Sequence, residues 1–171
     1  GRQPHEQREL LAVGELDAGR SARTVVCDFA LSRMSGHALT DAGLGTPGWI
    51  APEAWLGDPV SLPSDVYGFA MVMYEVLTSA LPLASFDAQS EGQLSAIQYR
   101  ICAENVRPPV DLEERARFFG GAAGAESMMA LVSEYTELME ACWQRLPRAR
   151  PLFPAIVSRL EKLHKQLPTV T

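Results

Sequence analysis

The chain is poor in cysteine and histidine, and in basic clusters and long apolar runs, and each scarcity removes a class of function. Cys27, Cys102 and Cys142 are odd in number and form no close pair. That fits reduced thiols in the cytosol or nucleus better than a disulfide framework. His5, His37 and His164 are scattered, with no metal-ligand spacing. Net charge is −6 and no dense basic stripe occurs, which argues against nucleic-acid binding and against adhesion to anionic membranes. No apolar run reaches transmembrane length, and residues 1–9 are too polar for a signal peptide. No internal repeat is visible. What remains is ample material for one core. The 171 residues are 47% hydrophobic, enough for a single folded domain.

Helices dominate the pattern, so the fold class is mainly α. Residues 23–27 read as a short strand, and residues 31–48, rich in Gly, Ser, Thr and Asp, read as a loop. Residues 64–78 form the strongest helix, with Ser64 as cap and Pro63 blocking backward extension. Val66, Phe69, Ala70, Met73, Val76 and Leu77 follow the helical period, while Met71 and Val72 fill other faces. A helix apolar nearly all round belongs inside a core. Ser90 and Gln93 have capping-box spacing ahead of Leu94, Ile97 and Ile101. Residues 113–124 mix charge with Gly and Ala and read as a surface insertion. Met128, Leu131, Val132, Tyr135, Leu138, Met139 and Cys142 form an amphipathic stripe. Phe153, Ile156, Val157, Leu160 and Leu163 mark a last helix, with Pro151 and Pro154 tolerable only near its first turn.

Four strings carry more information than the periodicity. Asp28-Phe29-Ala30 follows the apolar Val25-Val26-Cys27, and Gly45-Thr46-Pro47-Gly48-Trp49-Ile50 leads into Ala51-Pro52-Glu53. Ser64-Asp65-Val66-Tyr67-Gly68-Phe69-Ala70 opens the central helix. Cys142-Trp143 precedes Pro147, Arg150, Pro151 and Phe153 at fixed spacing. In this order they resemble the C-terminal lobe of a protein kinase, closest to the tyrosine-kinase-like serine/threonine kinases. The likeness runs from about Thr24 to Leu163 and implies a helical bundle around a buried central helix, with a short strand before the activation segment. The implied division is an atypical segment at 1–22, a partial kinase domain at 23–167 and a tail at 168–171.

The resemblance assigns roles residue by residue. Asp28 would be the magnesium-binding carboxylate of a site that also takes ATP. Alone it reads as an Asp ending a strand. Ala30 stands where the family has Gly, and Ala penalises positive φ. Ser32, Ser35 and Thr40 are candidate phosphosites in the activation loop, since added phosphate can order such a loop against arginines. Gly45 and Thr46 would lie near the protein substrate. Glu53 and Arg150 would form a buried ion pair closing the lobe. Asp65 would accept backbone hydrogen bonds from the catalytic loop, or serve simply as a first-turn carboxylate. Trp49, Trp55, Cys142 and Trp143 read as packing residues.

The Gly-rich loop, the strand lysine with its helix glutamate, and the H-R-D-x4-N catalytic loop do not occur in these residues. Counting back from Asp28, Arg8 falls at the proton-acceptor position and Val13 at the metal-binding Asn. Arginine stays charged and cannot accept a proton. Valine cannot coordinate magnesium. Three readings follow: part of an ATP-dependent serine/threonine kinase whose N-terminal lobe lies elsewhere, a pseudokinase or docking module for protein partners, or a truncated gene-model fragment. All three place the chain in the cytoplasm or nucleus, with no nucleic-acid or membrane partner. A kinase C-terminal lobe normally covers its upper surface with the other lobe, so here an apolar surface near residues 25–31 is left open, which predicts self-association or the need for a partner.

Overall fold

The computed structural model describes residues 25–26, 45–82 and 91–168. By its contacts the chain divides into two units, residues 1–32 and 33–171. Of the first unit only Val25 and Val26 are described. Both are exposed, and neither lies in a strand. These are the two describable positions of the strand expected at 23–27, and among the described residues they have no pairing partner.

The second unit is helical. After a single 3-10 turn at Pro47–Trp49 come α1 (Pro52–Trp55), α2 (Leu62–Thr78), α3 (Glu91–Cys102), α4 (Leu112–Cys142) and α5 (Phe153–Gln166). A second 3-10 turn, Pro147–Ala149, joins α4 to α5. Among the described residues there is no strand.

The central helix begins two residues before its expected start. Leu62 and Pro63 occupy its first turn, where proline's missing N–H is no loss. Ser61, not Ser64, is the N-cap, and Ser64 Oγ accepts the Ser61 N–H at 3.1 Å. The helix stops at Ser79, whose φ of 56° turns the chain while its N–H still reaches Glu75 O at 2.8 Å. It buries Val66, Tyr67, Ala70, Met71, Met73, Tyr74 and Leu77. Burial is not complete, however: Val72 and Val76 are 45% and 67% exposed.

The stretch expected as an insertion forms the first part of α4. Asp111 caps it by accepting the Glu114 N–H at 2.9 Å. Ala116 is fully buried, so this part is more than surface decoration. The helix breaks at Gly121, whose φ of 61° and ψ of −172° suit only glycine. Beyond the break the expected stripe packs inward through Met128, Val132, Leu138, Met139 and Cys142. Tyr135 donates its hydroxyl to Met73 O at 3.2 Å and fixes α4 against α2. On α5, Ile156 and Leu163 are buried, and Phe153 meets Phe69 edge-on at 5.6 Å. α2, the second part of α4 and α5 thus share one core. A smaller cluster, Ile97, Ile101 and Cys102 against Trp55, joins α3 to α1.

Candidate functional site

The site grows from α1. Pro47 and Pro52 each stand in the first turn of a short helix, with Ile50 and Ala51 extended between the two. Gly45 has a φ of 92°, and both it and Thr46 are exposed. Thr46 O accepts the Trp49 N–H at 3.0 Å. Trp49 Nε1 donates to Glu75 Oε1 at 2.8 Å, tying this segment to the end of α2. Gly48 is a close approach, since a Cβ there would lie 3.0 Å from Pro82 O.

Glu53 points from α1 into the interior and is 7% exposed. Arg150, 97 residues later, meets it there and is 5% exposed. The pair is bidentate, with Arg150 Nη1 on Oε1 and Nη2 on Oε2, both at 2.7 Å. The other guanidinium hydrogens are also used. Nε donates to Gln144 O at 2.8 Å, Nη1 to Pro63 O at 2.8 Å, and Nη2 to Arg145 O at 3.3 Å. All five donors of the fork are engaged. Ser64 Oγ donates to Glu53 Oε1 at 2.8 Å. Burial alone would raise the Glu53 carboxyl, but the hydrogen bonds from Arg150 and Ser64 outweigh it and leave the group below its ordinary value.

Tyr67 lies under this pair. Arg150 stands 5.1 Å and Arg107 5.2 Å from its ring centre. Burial pushes the Tyr67 phenol up to about 12, against the pull of both arginines. Arg107 donates from Nε to Trp143 O at 3.0 Å and from Nη1 to Val106 O at 2.8 Å, while its buried Nη2 has no partner. The Cys102 thiol contacts Pro52 O at 3.6 Å, and burial raises it. The arrangement joins four separate stretches of chain, and its ion pair is held in fixed hydrogen bonds. Its chemistry is that of a clamp.

Of the residues singled out in the sequence, Glu53 and Arg150 are brought together, and Gly45 and Thr46 stand open beside α1. Asp65 is exposed in the first turn of α2. Arg8, Asp28, Ser32, Ser35 and Thr40 lie outside the described residues, as does the segment expected to contact Asp65. The sequence reading missed Ser64, Tyr67 and Arg107 as members of the clamp. Ser64 and Tyr67 stand inside a recognised string, so a signal was present. Arg107 had none beyond its prolines. Among the described residues no group of three or more His, Cys, Asp or Glu could hold a metal ion. No described helix is long and apolar enough to cross a membrane.

Comparison with known proteins agrees with this geometry. The sequence matches the family model described as protein tyrosine and serine/threonine kinase over residues 18–160. It is 30% identical over 143 residues to the dual specificity protein kinase shkD of Dictyostelium discoideum, covering 82% of this chain and 16% of that protein. It is 28% identical over 143 residues to shkC of the same organism, covering 81% and 24%. The serine/threonine-protein kinase STY17 of Arabidopsis thaliana is 28% identical over 143 residues, covering 83% and 21%. The chain therefore spans less than a quarter of the length of these relatives. Its matched region holds both halves of the clamp, α1 with Glu53 and the turn with Arg150, and by that match the chain belongs to the protein tyrosine and serine/threonine kinase family.

Proposed function

We propose that these residues are the C-terminal-lobe portion of an intracellular, ATP-dependent serine/threonine protein kinase, with residues 23–167 as the partial domain and 1–22 as an atypical segment before it. The observation that carries this reading is the buried Glu53–Arg150 fork, which anchors the segment presenting Gly45 and Thr46 to the last helices. A protein substrate needs such a surface held still, since phosphoryl transfer depends on positioning. In the parent kinase Asp28 would help to hold magnesium, Gly45 and Thr46 would border the peptide, Asp65 would brace the catalytic loop, and Ser32, Ser35 and Thr40 would be open to phosphorylation. ATP and magnesium are the family's cofactors. The 171 residues include neither a nucleotide clamp nor an H-R-D base, so the chain by itself transfers no phosphate. The second reading, a pseudokinase or interaction module, draws support from Arg8 at the proton-acceptor position and from Ala30 in place of Gly.

One pair of assays tests the proposal. The purified 171-residue chain, incubated with ATP, magnesium and a generic protein substrate, should give no transfer above background. A longer polypeptide that joins these residues to a Gly-rich loop and catalytic lysine should be active, and Asp28→Asn should abolish that activity. Turnover by the 171-residue chain would overturn the first half. Full activity in the Asp28→Asn form of the longer polypeptide would overturn the assignment of Asp28.

A further inference from the structure

Among the described residues Arg107 carries a charge that no carboxylate answers. Its guanidinium sits 5.2 Å from the Tyr67 ring centre, and that of Arg150 sits 5.1 Å from the same centre, so two cations share one ring. Arg150 is neutralised by Glu53 in the bidentate pair. Arg107 has no such partner. Its Nε and Nη1 donate to the carbonyls of Trp143 and Val106, and its buried Nη2 donates to nothing. A third cation stands close. Arg150 Nη2 reaches Arg145 O at 3.3 Å, and the Arg145 charge acts on Arg107. Among the described residues neither Arg107 nor Arg145 forms an ion pair. Three guanidinium groups and one carboxylate leave a local surplus of positive charge. The two acids beside Arg107 do not offset it. Burial pushes the Tyr67 phenol up to about 12 and raises the Cys102 thiol, so both are neutral at physiological pH. Burial also pulls the Arg107 guanidinium below its ordinary value, and the charges of Arg150 and Arg145 pull the same way, although the group stays a cation.

We propose that the Nη2 side of Arg107 is a binding site for a small monovalent anion of the halide class, chloride under physiological conditions. A buried cation is costly unless it is paired, and a buried N–H is costly unless it finds an acceptor. One halide ion meets both demands at a single position. The class follows from the donors and their burial. Nη2 is shielded from solvent, so its occupant has to be compact. Phosphate and sulfate carry four oxygens and need several donors, whereas Nη2 offers two hydrogens. A water accepts from Nη2 as well, but it is neutral and leaves the surplus of charge in place. The way in is short, since Arg107 is only partly buried and Arg145 is exposed. An exposed cation beside the site also draws anions toward it. The bound ion lies where Arg107 meets Tyr67 of α2 and Trp143 at the end of α4. It therefore stabilises the joint between the segment after α3 and the large core.

Thermal melts of the 171-residue chain at constant ionic strength test the proposal, with sodium gluconate replaced stepwise by sodium chloride up to about 0.2 M. For a Kd of about 10 mM, chloride at about 0.2 M favours the folded state about 20-fold, and Tm should rise along a saturating curve by on the order of 5 °C. Bromide should act as chloride does, and gluconate, too bulky for the site, should not. Arg107→Gln should abolish the saturating response, and Arg145→Gln should weaken the affinity about threefold or more. Lys162→Gln removes the same charge from an exposed position on α5 and should leave the response unchanged. Circular dichroism checks that each variant folds, and Arg145→Gln carries the comparison if Arg107→Gln does not. Equal melting in chloride and gluconate would overturn the proposal in favour of a water at Nη2. So would a chloride response that persists unaltered in the folded Arg107→Gln form, or one that Lys162→Gln weakens as much as Arg145→Gln does.

Discussion

At the scale of single residues the clamp dominates. Glu53 and Arg150 are each nearly out of reach of water, and removing one charge strands the other. Glu53→Ala should cost roughly 3–5 kcal/mol, and Arg150→Lys should also weaken the fold because an ammonium cannot reproduce the fork. Urea melts of the variants measure both, and a loss below about 1 kcal/mol for Glu53→Ala would show the pair to be incidental. The pH dependence has a definite sign. The folded Glu53 carboxyl lies below its ordinary value of 4.5, so its contribution is complete above that value. It is lost as pH falls through the folded value. Stability should therefore drop on acidification below about pH 4.5, and Glu53→Gln should flatten that part of the profile. Thr136 supplies the opposite case. It is 6% exposed, and its hydroxyl has no hydrogen-bond partner. Thr136→Val keeps the shape and removes the stranded oxygen, so it should stabilise by about 1 kcal/mol. A clear loss of stability would reveal a partner for that oxygen.

At the scale of elements, sequence periodicity read existence and facing well and read ends less well. The stripe from Met128 to Cys142 and the face of α5 were legible because each buries one side of a regular helix. The start of α2 was misread by two residues, since Ser61 and Ser64 are both good caps and only their neighbours decide. Ser64 turned out to be more useful at the third helical position, where its hydroxyl serves both Ser61 and Glu53. Residues 113–124 read as an insertion because their glycines look like a loop. In the fold Gly120 and Gly121 serve particular geometry within α4. A Cβ on Gly120 would stand 2.8 Å from Ala125 N and from Met128 Cγ, and Gly121 adopts a φ that side chains resist. Gly121→Ala should destabilise by about 1–3 kcal/mol through backbone strain. Gly124→Ala, where a Cβ meets nothing, should not. Equal melting temperatures for the two variants would mean that the break is not needed.

At the scale of the whole molecule, two clusters of unequal strength are joined by a few long-range ties. The large core of α2, α4 and α5 was legible from apolar patterning. The clamp's ion pair was legible only through family resemblance, because no local pattern links positions 97 residues apart. The linkage of the small α1–α3 cluster to the rest was not legible at all. Gln98 Nε2 to Trp55 O at 2.9 Å and Cys102 to Pro52 O bind α3 to α1 within the cluster, and Arg107, between Tyr67 and Trp143 O, ties α3 to the larger core. Such contacts depend on where two loops meet in space and leave no periodic trace. They also imply graded stability, since a small cluster with few ties opens before a large core does. Amides of residues 128–142 and 66–77 should therefore exchange slowest with solvent, and those of α3 markedly faster. Arg107→Ala removes the stack on Tyr67 and the bond to Trp143 O without entering the large core. It should speed exchange across α3 about tenfold or more while leaving the slowest amides of α2 and α4 nearly unchanged. Uniform acceleration along the whole chain would mean that the two clusters unfold as one, and that Arg107 supports the entire fold rather than a joint within it.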